Sequence, residues 1–298
     1  MIKLDAFWSK ALKCHADLAL PQEVLSSNHQ FSNNDRIYQQ AKVLSYELGF
    51  NELDAECLAL AWLRFYQADV TEPTSWPDQL EFFAPKAINP PYPACPKNLG
   101  LYVVAPNSLW IERLCAAGVK TVQLRFKHDD QTVIANEVAT ACKIAERYPE
   151  SSLFINDYWQ LAIQHSAHGI HLGQEDLADA DLLAIQKSGL RLGISTHGYH
   201  EMVIAHQIKP SYIALGAVFP TTLKVMPSKP QGTGRLKRYA SLMREYPLVA
   251  IGGINHANLA EVLKAQIGSI AMVRGIIQAD NPEAEIKKYM RLLADHGC

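Results

Sequence analysis

Eight short runs rich in β-branched residues recur along the C-terminal two thirds of the chain, and helical patterns separate them. The runs are Leu101–Ala105, Thr121–Arg125, Leu153–Asn156, Gly169–Leu172, Leu192–Ser195, Tyr212–Gly216, Leu248–Ile251 and Ser269–Val273. Between them lie amphipathic stretches such as Gln131–Tyr148, Leu177–Ser188 and His256–Gln266. A strand followed by a helix returns the chain to the end of the sheet where it began, so successive strands pair in parallel. Eight such units in about 200 residues fit the short end of a closed (β/α)8 TIM barrel, with an open doubly wound sheet as the rival.

A barrel of this kind gathers its chemistry at the C-terminal ends of its strands. The residues at those ends are therefore the informative ones. Gln123, Arg125 and Lys127 alternate at the end of the second run, which allows all three to face one side. Asn156 and Asp157 close the third, Gln174, Glu175 and Asp176 follow the fourth, and Ser195, Thr196 and His197 close the fifth. Thr221, Thr222 and Lys224 follow the sixth, Gly252 and Gly253 the seventh, and Val273 and Arg274 the eighth. Taken singly, a lysine there is ordinarily a solvated loop charge and an aspartate a helix cap. Taken together they crowd carboxylates, cations and amide donors into one mouth. Asp157 and Asp176 suit a hard cation such as Mg²⁺, which takes one or two carboxylates plus phosphate oxygens. Arg125, Lys127 and Lys224 suit a diphosphate. The glycine pair and the Val273–Arg274–Gly275 turn suggest a second phosphate site, because barrels frequently bind phosphate after strands seven and eight. Two anion sites and one metal imply two phosphorylated small-molecule substrates, or one carrying phosphate at both ends.

The preceding part of the chain has another rhythm. Ile37, Tyr38, Ala41, Leu44 and Leu48 have helical spacing, and Gly49 sits where that helix would stop. Asn51 is placed to cap a second helix with Glu52, Asp54 and Glu56 in its first turns. Leu58 to Tyr66 is apolar nearly all round and should be buried. Five prolines between Pro85 and Pro96 predict an extended connector. The expected organisation is a helical N-terminal extension over 1–84, a proline-rich linker over 85–97 and the barrel over 98–298. No nucleophile–base set or phosphate loop occurs in the extension, so its helices are expected to contact the barrel or a protein partner.

Composition excludes several classes. The formal charge of −2 on 298 residues, 19% of them charged, argues against a nucleic-acid or acidic-membrane binder. Six cysteines without a C-x-x-C pair fit scattered reduced thiols, not a disulfide framework or a zinc site. No run approaches the roughly 18–20 apolar residues that cross a bilayer, and Met1–Lys10 lacks a signal-peptide core. The expectation is a cytoplasmic protein with no membrane partner; assembly into a homo-oligomer is left open.

From Gly100 to about Ile277 the chain resembles thiamin phosphate synthases. The motifs that carry the resemblance are VQLRFK (Val122–Lys127), FINDYW (Phe154–Trp159), GIHLGQEDL (Gly169–Leu177), GISTH (Gly193–His197), ALGAVFPTTLKVMPSKPQG (Ala214–Gly232) and AIGGI (Ala250–Ile254), in the family's order. The resemblance implies a Mg²⁺-dependent transferase that joins hydroxymethylpyrimidine diphosphate to hydroxyethylthiazole phosphate by dissociative loss of diphosphate. It assigns Gln123, Leu124, Arg125, Phe126, Lys127, Asn156, Ser195 and Lys224 to the pyrimidine diphosphate, with Arg125, Lys127 and Lys224 acting on the departing group. It assigns Asp157 and Asp176 to the metal, and Thr221, Thr222, Leu223, Gly253, Val273 and Arg274 to the thiazole phosphate. The chain departs from the family pattern at Phe126, where the family commonly has an acid, at Leu223, where it has threonine, and at Arg274, where it has serine. By strand alternation Phe126 should point towards the helices. His171 is read as a packed, hydrogen-bonded structural histidine, and Cys115 and Cys142 as core residues. Two other readings share the barrel: an isomerase resembling thiazole tautomerases, and a non-catalytic sensor of thiamin phosphates that signals through the extension.

Overall fold

The computed structural model describes residues 2–20, 31–68, 72–221 and 229–297. The C-terminal part closes into a barrel of eight parallel strands in the order β1-β2-β3-β4-β5-β6-β7-β8, each paired with its sequence neighbour and β8 with β1. Its elements are β1 (Gly100–Ala105), α5 (Ser108–Ala116), β2 (Thr121–Leu124), α6 (Gln131–Glu146), β3 (Ser152–Asn156), α7 (Trp159–Gln164) and β4 (Gly169–Leu172). Then come α8 (Gln174–Leu177), α9 (Leu182–Lys187), β5 (Arg191–Thr196), α10 (Tyr199–Ile208), β6 (Tyr212–Leu215) and α11 (Gly232–Leu242). β7 (Leu248–Ile251), α12 (Leu259–Leu263), β8 (Ser269–Met272), α13 (Arg274–Ile277) and α14 (Pro282–Asp295) complete it. The extension contributes α1 (Ala6–Cys14), α2 (Arg36–Glu47), α3 (Glu52–Tyr66) and α4 (Leu80–Phe83).

Every strand lies within one residue, at either end, of the run that announces it. The helical stretch Leu177–Ser188 differs, because the structure divides it into α8 and α9. The Asp176 carboxylate turns back to accept the Gly173 amide at 2.8 Å, and Asp181 opens a new helix by accepting the Ala184 amide at 2.9 Å.

Two apolar layers build the molecule. Inside the barrel Tyr102, Val104, Phe154, Tyr212, Ala214, Val249 and Ala271 pack together. Two glycines make room for the aromatic rings there: a Cβ on Gly193 would lie 2.1 Å from Tyr212 Cζ, and one on Gly169 would lie 2.5 Å from Phe154 Cε1. Outside the sheet a single continuous core runs through the shell of helices and into the extension, where Tyr38, Leu44, Leu58 and Trp62 are fully enclosed. Cys115 and Cys142 are buried in that shell.

The extension lies along α10 and α11. Phe83 stacks on Tyr199 with ring centroids 5.1 Å apart, and Trp76 Nε1 donates to the Tyr199 hydroxyl at 3.0 Å. Residues 85–97 carry no helix or strand and pass beneath the barrel. They are tied at the N-terminal ends of three strands: the Tyr92 amide donates to Lys209 O at 3.1 Å, Arg191 Nε to Ala94 O at 3.0 Å, and Lys97 Nζ to Tyr246 O at 2.6 Å. Among the described residues no helix is long and apolar enough to cross a membrane.

Candidate functional site

The polar residues at the strand ends converge on one mouth. β2 delivers Gln123 into the barrel, where it is 4% exposed, and Arg125 and Lys127 follow on the exposed turn. The side chains of Leu124 and Phe126 pack in the outer shell, as alternation requires, which leaves their backbone for any contact with a ligand. Next along the barrel, β3 ends in buried Asn156, and Asp157 takes a left-handed conformation at φ 65°. For a residue with a Cβ that conformation is uncommon. It is held by the Asp157 amide donating to His171 O at 3.0 Å. The turn aims the Asp157 carboxylate at Lys127, whose ammonium forms an ion pair with it and sits 5.7 Å from the Tyr158 ring centroid.

Asp176, in the first turn of α8, meets Asp157 from β4's side. The two carboxyl groups are within hydrogen-bonding reach of each other. Burial pushes the Asp176 carboxyl above its ordinary range, the Gly173 amide pulls it down, and the Asp157 charge pushes it up again. Two facing carboxylates beside a mobile ammonium form a donor set that a hard divalent cation would complete, because it relieves their repulsion and prefers oxygen.

Ser195 at the end of β5 is held from inside the barrel. His171 Nε2 lies 2.8 Å from Ser195 Oγ, and His171 Nδ1 lies 2.7 Å from the Tyr212 hydroxyl. That hydroxyl is 2.7 Å from the Tyr102 hydroxyl, which accepts from Gln123 Nε2 at 2.8 Å. One direction of donation satisfies all four contacts: Gln123 to Tyr102, Tyr102 to Tyr212, Tyr212 to His171 Nδ1, and Nε2–H to Ser195. Run the other way, the chain would strand the Tyr102 hydrogen in the core, at a cost of about 1–3 kcal/mol. Burial pushes His171 down to about 4, against a weaker upward pull from Asp157, so the ring stays neutral. The Ser195 hydrogen is then free to face the mouth. Gln174 Nε2 fixes the same strand end by donating to Ser195 O at 2.7 Å.

The opposite side of the mouth is built by β6 to β8. The loop after β6 runs along the end of β7, with the Val218 amide on Ile251 O at 2.9 Å and the Phe219 amide on Gly252 O at 3.0 Å. Gly253, at φ 65°, lies against that loop: a Cβ there would be 2.7 Å from Pro220 O. Thr221 thus comes beside Gly253. Val273 and Arg274 stand next to them, since Ile251 pairs with Ala271 two residues earlier on each strand. Thr222, Leu223 and Lys224 lie outside the described residues.

Tyr102 and Tyr212, which hold His171 and Ser195, were not among the expected site residues. The signal is present but faint: each is a polar-tipped aromatic at an inward position of an otherwise apolar run, LYVV and YIAL.

A family model described as thiamine monophosphate synthase matches residues 101–276, more than half of the chain. The chain belongs to that family. Thiamine-phosphate synthase from Yersinia pseudotuberculosis is 49% identical over 204 residues, covering 68% of this chain and 94% of that protein. The Serratia proteamaculans thiamine-phosphate synthase is 50% identical over 206 residues, covering 69% and 97%. Among solved structures, thiamine phosphate pyrophosphorylase from Pyrococcus furiosus superposes with a TM-score of 0.57 at 25% identity, covering 66% of this chain and 98% of that one. The two bacterial relatives are covered nearly end to end, so their lengths leave no room for a counterpart of residues 1–84.

Proposed function

We propose that this chain is a thiamin phosphate synthase. It condenses hydroxymethylpyrimidine diphosphate with hydroxyethylthiazole phosphate and releases diphosphate. The observation that carries this reading is the meeting of Asp157, Asp176 and Lys127 at the mouth of a barrel whose close relatives are thiamine-phosphate synthases. Those relatives give neither the isomerase nor the sensor reading any support.

Asp157 and Asp176 would hold Mg²⁺. When bound, the ion supplies positive charge to diphosphate oxygens as the carbon–oxygen bond to the pyrimidine methylene lengthens. Arg125 and Lys127 offer charge-assisted donors to the same oxygens, Arg125 with a planar fork and Lys127 with a mobile ammonium. Lys224 is assigned the same task. Gln123 and Asn156 place amide groups at the pyrimidine end, and Ser195 offers the hydrogen that the His171 contact leaves free. Thr221, Thr222, Leu223, Gly253, Val273 and Arg274 are assigned to the thiazole phosphate, where backbone amides and the Arg274 charge replace the hydroxyls absent at 223 and 274. No residue need act as nucleophile or strong base. The site stabilises a leaving group and holds the second substrate in line with it.

In this reading residues 98–298 are the catalytic domain, 85–97 the linker and 1–84 a structural extension, and the enzyme works in the cytoplasm. The test combines purified protein, Mg²⁺ and both substrates. Thiamin phosphate and diphosphate should appear in equal amounts; folded protein that yields neither overturns the proposal.

A further inference from the structure

The extension reaches the catalytic end of the barrel through one buried carboxylate. Helix α10 starts four residues after Ser195 and, like any helix, presents amides with no partner inside the helix. Its N-cap, Gly198, has no side chain to offer them. Half of a capping arrangement is made locally: the Glu201 carboxylate accepts the His197 amide at 2.7 Å and contacts His197 Nδ1 at 2.6 Å. The other half comes from far away in sequence. Asp54 Oδ1, on α3, accepts the His200 amide at 2.9 Å. His200 is the second residue of α10, the position that a capping side chain ordinarily serves.

The place of this carboxylate is built on both sides. A Cβ on residue 198 would lie 2.1 Å from Asp54 Oδ2, and the three heavy atoms nearest to it all belong to the Asp54 carboxylate. Glycine at 198 is what admits the visiting cap. Asp54 is 4% exposed and feels the Arg235 charge, which opposes the cost of its burial. Arg235 binds the extension in its own right. Its guanidinium donates to Leu18 O at 2.9 Å and Leu48 O at 2.8 Å, and its carbon lies 3.7 Å from the Phe50 ring centroid. It also holds Gln231 Oε1 at 3.0 Å, at the start of α11. The extension therefore grips the beginnings of the two helices that follow β5 and β6, the strands leading to Ser195 and Thr221.

We propose that Asp54 is a positioning residue for the reaction: as the N-cap of α10 it fixes the Ser195–His197 turn, so that the extension completes the catalytic face of the barrel. This rests on the thiamin phosphate synthase reading for its kinetic consequence, but not for its structural one. Ser195 is held from within by His171 and from without by the capped turn. Loss of the outer hold lets the hydroxyl drift, and a misplacement of about 1 Å can cost about 10²-fold in rate.

Four full-length variants test it, each assayed beside the unmodified chain. Asp54→Ala should lower kcat by about 10- to 100-fold while KM for either substrate changes less than about threefold. Asp54→Asn keeps an acceptor oxygen and should stay within about threefold of the parent. Leu58→Ala, on the same helix and fully buried but with no polar atom to offer the α10 amides, should lower Tm at least as far as Asp54→Ala yet leave kcat within about threefold. Asp54→Ala/Gly198→Ser moves the cap into α10 itself, in the space the carboxylate vacates, and should recover most of the lost kcat. Amide hydrogen exchange at His200 and Glu201 reads the cap without any substrate. It should accelerate about tenfold or more in Asp54→Ala only. Failure of the unmodified chain to turn over would indict the synthase reading, and exchange would still judge the cap. Unchanged exchange at His200 in Asp54→Ala overturns the proposal, and so does a loss of kcat no larger than that of Leu58→Ala. If Asp54→Ala does not fold, a double variant that folds and turns over sustains the proposal, and one that also fails to fold overturns it.

Discussion

Among the described residues, one cluster of a lysine and two acids lies in the extension and another at the barrel mouth, and they have opposite characters. In the extension Lys42 is 1% exposed and pairs with Glu52 at 2.8 Å and Glu56 at 2.6 Å. The Tyr38 and Tyr46 hydroxyls bond the same two acids, and the rings of Phe31, Tyr38 and Tyr46 surround the ammonium. Burial works against the charged form of Lys42, but hydrogen bonds to Glu52 and Glu56 outweigh it and raise its pKa. Burial likewise opposes ionised Glu56, and Lys42, Ser32 and Tyr38 outweigh it and hold the carboxyl below its ordinary value. At the mouth the Lys127 side chain is 55% exposed, and Asp176 is pushed above its ordinary range by burial and, beyond that, by the acid it faces. The first cluster is saturated within the chain. The second leaves two acids facing each other, with an exposed lysine paired to one of them. Charge inventory does not separate a structural cluster from a catalytic one; what separates them is whether the protein has already met every demand those charges make.

The sharpest way to break that contrast is to remove one acid from each cluster. Asp157→Ala and Asp176→Ala should each cut Mg²⁺-dependent kcat by roughly 10²–10³-fold, in line with loss of one preorganised electrostatic contact. Tm should move by less than about 2 °C, because neither carboxylate is needed to satisfy a buried core. Glu56→Ala should do the reverse. It leaves the Lys42 ammonium with one carboxylate and two hydroxyls short of partners, so stability in urea should fall by about 1–3 kcal/mol. Its kcat should match that of the parent. Wild-type turnover by Asp157→Ala, or a large catalytic defect in Glu56→Ala, would remove the distinction.

The barrel and the acids of the mouth were legible because each rests on local pattern. Alternating strand and helix periods dictate parallel pairing, and polar residues at the ends of apolar runs mark the catalytic face. What could not be read rests on partners distant in sequence. Asp54 reads as an ordinary acid in the first turn of α3, favoured by the helix dipole, and nothing near it shows that it caps a helix 146 residues away. Tyr102 and Tyr212 vanish into apolar strand patterns, since a tyrosine ring packs like any aromatic and only the closed barrel shows what its hydroxyl meets. The division of Leu177–Ser188 has a local origin instead: the apolar period continues through a break imposed by the Asp176 and Asp181 side chains, each of which accepts a backbone amide three residues away.

A third cluster refines the contrast because it is saturated yet lies against the mouth. Tyr212→Phe removes the hydroxyl that joins Tyr102 to His171 and leaves the Ser195 hydrogen without a fixed direction. Turnover should fall about tenfold, the worth of one hydrogen bond at about 1.4 kcal/mol, with KM for the thiazole phosphate unchanged. The double variant Tyr212→Phe/Ser195→Ala should lose little more than Ser195→Ala alone, since the two act in series. Fully additive losses would show that Tyr212 serves only packing.

The smallest effect separates the regions along the pH axis. His171 is buried and pushed down to about 4, so between its ordinary value near 6.5 and about 4 the unfolded chain takes a proton that the folded chain refuses. Its contribution to stability is therefore complete above pH 6.5 and lost as pH falls towards 4, at about 1 kcal/mol per pH unit. Burial shifts His15 in the extension and His206 on α10 in the same direction, so a titration of the whole protein sums them. His171→Gln isolates that one ring's share by partly flattening the slope of unfolding free energy in that window, and leaves in place the share of His168, which burial also pushes down to about 4. Glu56 acts lower on the scale. Its carboxyl is depressed in the folded state, so its stabilisation is present above the ordinary value of 4.5 and lost as pH falls through the lowered one. Glu56→Gln should leave the slope between pH 6.5 and 5 untouched and reduce acid sensitivity only below about 4.5. If both variants altered the same part of the curve, the saturated cluster of the extension and the buried imidazole of the barrel would be titrating as one network, and the independence of the two regions assumed in reading their clusters separately would be lost.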